Sequence, residues 1–312
     1  MENKKICYIV LVYNELDYTI KTFESLHLQC QKKYYFDIIC VDNNSNEQYA
    51  LPLKDYCENN NIRYLHHNVN DGYAGGNNYA YEIVKSEGYD IVFIANNDIE
   101  LLHPNITENV IDCFMTNDKI ALVGAPNVDA DSNPCRMSGF VKMLAKLEKQ
   151  PQLKNDIFVT EPFITGCFFA IRTDIKELEY LFDYSYFMYD EEKDLEFRLM
   201  RAGYYVGMLQ NLNMSVKHYG AGFDYTKQSD WSIYLIVRNY ILSSKKYRLL
   251  TKIVFYFLYF GLITKLFFLY HKYTFRGFFS GLYMLLTNKD KKYIYNDAVN
   301  YVRKIGGSTR NN

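Results

Sequence analysis

The sequence predicts an α/β fold, a mostly parallel sheet with helices on both faces, followed by a C-terminal helical extension. Three observations predict it. Short apolar runs alternate with segments of helical spacing through residues 5–98, an order that builds parallel sheets. The run Ile91, Val92, Phe93, Ile94, Ala95 is apolar throughout, as a strand covered on both faces requires, and stops abruptly at Asn96, Asn97 and Asp98. Residues 231–289 carry nine of the 35 basic side chains and none of the 36 acidic ones. The net charge of −1 therefore hides a basic, aromatic tail behind an acidic head.

Taken in order, residues 5–13 (KICYIVLVY) read as the first strand. They are no signal peptide, because polar residues follow at once and a small-residue cleavage site is missing. Leu16, Ile20, Phe23 and Leu26 recur at helical spacing. Residues 36–42 (FDIICVD) give the second strand, followed by a polar loop and a helix to about residue 60. Residues 62–67 form a short strand, 77–87 a helix and 90–98 the strand already met. Strands at 119–128 and 163–173 flank a loop region rich in Lys and Pro. Residues 190–201 are helical, 204–218 hold one or two strands, and the pattern beyond 231 is helical. This divides the chain into a domain at 1–230 and an extension at 231–312.

With 312 residues, 49% hydrophobic and 23% charged, the chain is globular and long enough for a full core. Its seven cysteines are odd in number and form no CxxC. Reduced thiols in a cytosolic protein fit this usage better than a disulfide framework or a zinc site.

Ligands of open α/β sheets bind beyond the carboxyl ends of the strands, so the polar residues there are the candidates. Asn96-Asn97-Asp98 offers a carboxylate and amide oxygens to a hard divalent cation, or is simply a polar turn. Asp42, in Asp42-Asn43-Asn44-Ser45, can accept hydrogen bonds from a base or ribose, or serve the turn. Gly75 and Gly76 precede the expected helix at 77–87. They allow close approach of an anionic ligand to its N-terminus, or make a plain loop. No dinucleotide GxGxxG fingerprint is present. Residues 187–198 (FMYDEEKDLEFR) place four acids in the first turns of a helix. This complements the helix dipole, but a carboxylate there beside an aromatic pocket is also a candidate general base.

In this order, strand–Tyr13-Asn14, strand–VDN, GYAGGNN, strand–NND, YDEEKDLEFRLMRAGY and KHYGAG resemble glycosyltransferase family 2, in its rhamnosyltransferase-like branch, over about residues 5–240. The resemblance implies a GT-A fold with a Rossmann-like sheet and a nucleotide-diphosphate sugar donor. It also implies Mg²⁺ or Mn²⁺ as cofactor, and transfer with inversion to a saccharide or lipid-linked acceptor in surface polysaccharide synthesis. By the same resemblance Tyr13, Asn14, Asp42 and Asn43 line the nucleotide pocket. Gly75, Gly76, Asn77 and Asn97 sit near the donor, as does Arg238 of Arg238-Asn239-Tyr240. Asp98 is the metal-binding carboxylate, and His218 a metal ligand or diphosphate contact. Two departures stand out. Asp98 is the only carboxylate of its triplet, and Glu191-Glu192 replaces the usual Glu-Asp pair. Alignment on Asp194-Leu195 makes Glu192 the catalytic base, with Glu191 the alternative. Outside this context His218 reads as structural, and Arg238 as solvated on an amphipathic helix.

In the tail, Lys265, Lys272 and Arg276 share one helical face, as do Lys245, Arg248 and Lys252. Basic stripes beside Phe, Tyr and Leu suit a helix lying on an anionic membrane surface. The expected location is cytoplasmic, peripheral on the inner face of the cell membrane. The twelve uncharged residues 253–264 end at Lys265, which disfavours a span. A packing or homodimerising extension is the alternative, and a nucleic-acid partner is not expected. Two rival functions remain at this stage. A sugar-nucleotide nucleotidyltransferase needs a Gly-rich, basic loop after the first strand, which VYNELDYT lacks. A non-catalytic sugar-nucleotide-binding protein would account for the two departures.

Overall fold

Alternating strand and helix segments at the start of the chain build one half of an eight-stranded sheet. The computed structural model describes residues 4–135, 143, 146–149, 151–161, 164–220 and 229–306. Strands β1 (Ile6–Val12), β2 (Asp37–Asp42), β3 (Arg63–His66) and β4 (Ile91–Asn96) run parallel in the order β3-β2-β1-β4. Helices α1 (Asp17–His27), α2 (Glu47–Asn59) and α3 (Gly72–Ser86) connect them. β1 and β4 are buried on both faces, which explains their uninterrupted apolar sequences. Cys7 and Ile9 enter one core while Tyr8 and Val10 enter the other, the two-residue alternation of a strand.

α3 begins five residues before the expected start at 77. The Gly-rich segment is the first turn of this helix, with Gly72, Ala74 and Gly76 buried. Glycine's low helix propensity is overridden by close packing, which periodicity does not report.

The other half of the sheet is mixed. The full order is β3-β2-β1-β4-β9-β6-β10-β8, with β6 (Ile120–Gly124), β8 (Phe158–Thr160), β9 (Phe168–Arg172) and β10 (Tyr205–Leu209). β6 and β10 are parallel, but β9 is antiparallel to both β4 and β6. The chain already stands at the carboxyl edge when it enters β9, where the Asn96 N–H donates to the Cys167 carbonyl (2.8 Å). From that edge it can only run back. β8, within the region expected to be loop, pairs antiparallel with β10. Past the same edge lies a small sheet of β5 (Ile99–Leu101), β7 (Asn127–Val128) and β11 (Val216–His218), in the order β5-β11-β7. Strands of two or three residues leave no readable alternation. Helix α4 (Ile106–Thr116), which the sequence reading did not assign, precedes β6, and α5 (Glu191–Arg201) precedes β10. Phe163, expected to open the strand at 163–173, lies outside the described residues.

The C-terminal part is helical as expected, with α6 (Asp230–Ser243), α7 (Leu249–Leu286) and α8 (Lys291–Gly306). Its core is continuous with that of the sheet. Ile233, Val237, Ile241, Tyr259 and Leu266 join the cluster that holds Ile9, Val92 and Phe169. α7 has 38 residues, about 57 Å at 1.5 Å per residue. One side packs on α6, and another leaves Phe260, Phe268, Leu269, Phe275, Phe279 and Leu286 exposed. Among the described residues, Thr251–Leu269 is the one stretch long and apolar enough to cross a membrane by length and composition. The seven cysteines are free thiols, five of them buried.

A candidate active site at the carboxyl edge of the sheet

The ends of β1, β2 and β4, the start of α3 and the C-terminal helices enclose a cleft of about 800 Å³. Tyr13 lines it just past β1. Asn14 adopts a left-handed backbone (φ 54°). Its N–H donates to Ser45 Oγ (2.9 Å) and its Oδ1 accepts the Asn46 N–H (2.8 Å), tying β1 to the loop after β2. Asn43 lines the cleft and donates from Nδ2 to Asn70 Oδ1 and the Gly72 carbonyl, both at 3.1 Å.

Asp42 does not reach the cleft. Its carboxylate is fully buried and accepts hydrogen bonds from the Ser45 N–H (2.9 Å), the Tyr64 hydroxyl (2.8 Å) and His66 Nδ1 (2.9 Å). Burial works to raise its pKa, but these bonds outweigh it and hold the carboxyl below its usual value. Asp42 therefore braces the sheet edge through the loop after β2 and through β3. Its strand partners were invisible without the register.

At the start of α3 the lining residues are Asn70, Gly72 and Tyr73. Gly72 has φ +72°, and a Cβ there would sit 2.1 Å from the Phe187 carbonyl oxygen, so no other residue fits. The expected Gly75, Gly76 and Asn77 fall elsewhere. Gly75 faces a separate cavity of about 490 Å³ between α3 and α8. Gly76 packs beneath Leu11 and Asn43, and the buried Asn77 bonds back to the Tyr73 carbonyl (2.9 Å). The earlier helix start moves the first turn to residues 72–75, where the Gly72 N–H donates to Asn70 Oδ1 (2.9 Å) and the Ala74 N–H to the Phe187 carbonyl (3.3 Å).

The structure brings Asp98 and His218 together from opposite ends of the domain. β5 and β11 pair antiparallel, with His218 opposite Ile99. This register puts His218 Nε2 3.2 Å from Asp98 Oδ1. The Tyr219 N–H donates to the Asp98 carbonyl (2.9 Å) and the Gly220 N–H to Asp98 Oδ2 (3.1 Å). A Cβ on Gly220 would lie 2.6 Å from that oxygen; Gly222 of the same motif lies outside the described residues. Burial pushes the imidazole pKa down, but hydrogen bonds to Asp98 and Cys167 outweigh it and hold it at about 10. Asn96 Nδ2 stands 3.4 Å from His218 Nε2, while its buried Oδ1 has no hydrogen-bond partner among the described residues. Asn97 lines the cleft and donates to Thr19 Oγ1 (2.9 Å). A divalent cation fits this group. Asp98 and Asn96 offer oxygens, one of them orphaned, and His218 offers nitrogen once its proton is displaced. Among the described residues no set of three or more His, Cys, Asp or Glu is arranged to hold an ion. Much of the shell must then come from ligand oxygens and water.

The two glutamates open α5 after a sharp turn in which Tyr189 (φ 72°) and Asp190 (φ 78°) are both left-handed. Asn239 Nδ2 holds this turn by donating to the Met188 (2.9 Å) and Tyr189 (2.8 Å) carbonyls. Glu191 is buried and its Oε2 lacks a partner. Glu192 is partly exposed and lies against Gly166, where a Cβ would be 2.3 Å from its Oε1. Burial raises the pKa of both carboxyls, and the charge of Glu192 raises Glu191 further. Glu192 is thus the easier of the two to ionise. Neither lines the cleft directly. Tyr73 stands between, lining the cleft and donating its hydroxyl to the Gly166 carbonyl (2.5 Å).

Arg238 is not among the residues lining the cleft. Its guanidinium is fully buried and donates to the Ile294 carbonyl (2.8 Å), Asp297 Oδ2 (3.2 Å) and Asn239 Oδ1 (2.9 Å). α6 is buried nearly all round and leaves no solvated face for a cation. What the helical part does bring to the cleft is Trp231, Val299, Val302 and Arg303. The sequence reading missed all four, since nothing local marks a helix that returns to the sheet edge.

A sequence model described as Glycosyl transferase family 2 matches residues 7–178. The chain is 24% identical over 213 residues to the low-salt glycan biosynthesis hexosyltransferase Agl10 of Haloferax volcanii, covering 67% of each chain. It resembles the crystal structure of GalNAc-T7 with UDP, GalNAc and Mn²⁺, with TM-score 0.56 and 15% identity over 77% of this chain and 47% of that one. It also resembles S. aureus TarS, with TM-score 0.54 and 14% identity over 78% and 40%. The chain thus spans under half the length of both solved proteins. The fold they share with it is GT-A.

Proposed function

We infer the function from the premise that this chain belongs to glycosyltransferase family 2: it moves a hexosyl-type sugar from a nucleotide-diphosphate donor to a saccharide or lipid-linked acceptor, inverting the anomeric carbon. The observation that carries the reading is the meeting of Asp98 and His218 at 3.2 Å, beside a cleft lined by asparagines. The hexosyltransferase relative and the neighbour holding UDP and Mn²⁺ support it.

Tyr13, Asn43, Asn70 and Gly72 offer the nucleotide a ring to stack on, amide groups to bond and close backbone approach. The dipole of α3, whose first turn borders the cleft, favours an anionic group beside it. Asp98, His218 and Asn96 are the residues that would hold Mg²⁺ or Mn²⁺, which when bound supplies positive charge against the departing diphosphate. Glu192 takes the proton of the acceptor hydroxyl. That oxygen bonds to the anomeric carbon as the bond to diphosphate breaks on the opposite face. One displacement inverts the carbon without a covalent enzyme intermediate. Phe187, Met188 and Trp231 wall the cleft on its apolar side and keep water from the donor.

The same reading places the enzyme in the cytoplasm, peripheral on an anionic membrane. Exposed Phe260, Phe268, Phe275 and Phe279 on α7, beside exposed Lys265, Lys272 and Arg276, support it.

The test is donor-dependent nucleotide release across a panel of nucleotide sugars, with Mg²⁺, with Mn²⁺ and with EDTA. One donor should be turned over only with metal, and Asp98→Ala should abolish that turnover while the circular dichroism stays native. Release undiminished in EDTA, or by Asp98→Ala, would remove Asp98 from the metal role. Silence with every donor would overturn the enzymatic reading.

A further inference from the structure

The cleft lining is almost without formal charge. Of the residues lining it only Asp98 is acidic and only Arg303 basic. Asp98 is already engaged by His218 and the Gly220 N–H. Arg303 is exposed, and among the described residues no hydrogen bond or ion pair holds its guanidinium. A cation with no hydrogen-bond or ion-pair partner among the described residues, lining an asparagine-rich pocket, calls for an anionic ligand.

Its place is built from the buried interior outward. On α8, Ile294, Asp297, Ala298 and Tyr301 follow helical spacing and turn to α6. Arg238 donates to the Ile294 carbonyl and Asp297 Oδ2, the Tyr234 hydroxyl donates to the same Oδ2 (2.5 Å), and Tyr234 stacks on Tyr301 (3.6 Å, 17°). The adjoining stripe of α8 is Tyr295, Val299, Val302 and Arg303. Tyr295 donates to Asp71 Oδ1 at the start of α3 (2.7 Å), and the other three line the cleft. Held at both places, α8 brings Arg303 to the lining of the cleft that Asp98 also lines. The matched family region ends at residue 178, well before this helix.

We propose that Arg303 binds a diphosphate group in the cleft, with the buried Arg238–Asp297 contact acting as a positioning element that sets α8 there. This rests on the transferase reading above, which admits two sources for the group: the nucleotide donor, or the diphosphate of a lipid-linked acceptor. An Arg fork matches phosphate oxygens in pairs.

The experiment measures binding to the full-length protein by calorimetry with Mn²⁺. The donor-side probes are UDP and GDP against uridine and guanosine. The acceptor-side probes are farnesyl diphosphate against farnesol. Arg303→Ala should weaken a diphosphate probe at least about tenfold, the loss of one charge-assisted contact. Its phosphate-free counterpart should bind as in wild type, and Arg303→Lys should restore part of the loss. A loss confined to the nucleoside diphosphates assigns the donor; one confined to farnesyl diphosphate assigns the acceptor. Unchanged binding of every diphosphate by a folded Arg303→Ala protein overturns this inference and leaves the transferase reading standing. Wild-type protein that binds no diphosphate probe overturns both.

Discussion

Asp297→Ala should loosen α8 without unfolding the sheet. Among the described residues Asp297 is the one carboxylate touching the buried Arg238 guanidinium, and it also accepts from Tyr234 and Ser280. Breaking a buried pair by removing one partner costs about 3–5 kcal/mol. Two facts reduce that figure. The Asp297 side chain is 31% exposed, and Arg238 keeps Asn239 Oδ1 and the Ile294 carbonyl. The expected cost is therefore about 2 kcal/mol, the scale of one charge-assisted hydrogen bond. The assay is native-state hydrogen exchange of residues 291–306, where 2 kcal/mol is about a 30-fold loss of protection. Arg238→Met with Asp297→Ala should recover part of it, because the unpaired buried charge goes too. Unchanged protection in Asp297→Ala, or a double variant worse than the sum of the singles, would refute the reasoning.

Glu192→Gln should keep nucleotide binding but lower turnover by roughly 10²–10⁴, the range of general-base catalysis. If Glu191→Gln is the dead variant instead, the roles of the two are exchanged, and initial rates of both settle it. Asp183 adds a pH dependence. Burial opposes its charge, but Lys246, the bonds from Ser185 and Lys291 outweigh burial and push its pKa well down. A depressed folded pKa gives stability that is full above the unfolded value near 4 and fades as pH falls below it. Urea midpoints should accordingly drop between about pH 4 and pH 2 in wild type, and less steeply in Asp183→Asn. Changing Lys265, Lys272 and Arg276 together to Glu should release the protein from anionic vesicles at low salt, each basic residue being worth about 1 kcal/mol there. Wild-type protein that ignores such vesicles, or needs detergent for release, would end the surface-bound reading.

The sequence by itself determined the parallel half of the sheet and the places where its strands stop. Each of β1, β2 and β4 is a run whose burial is written in its own residues, and a polar break at a strand end is a local signal. It also determined the acids at the start of α5, and named Asp98 and His218 separately. Only the tertiary structure decided that those two meet, since their contact depends on the β5–β11 register, and strands of three residues carry no periodicity to predict it. It likewise decided that Asp42 is spent on Tyr64 and His66, and that Gly75 and Gly76 lie inside a helix. Arg238 and Arg303 show the physical reason most plainly. Both are arginines on helices of the C-terminal extension, and no local pattern tells which is buried. α8 packs one stripe on α6, where it covers Arg238, and turns the next stripe, with Arg303, to the cleft.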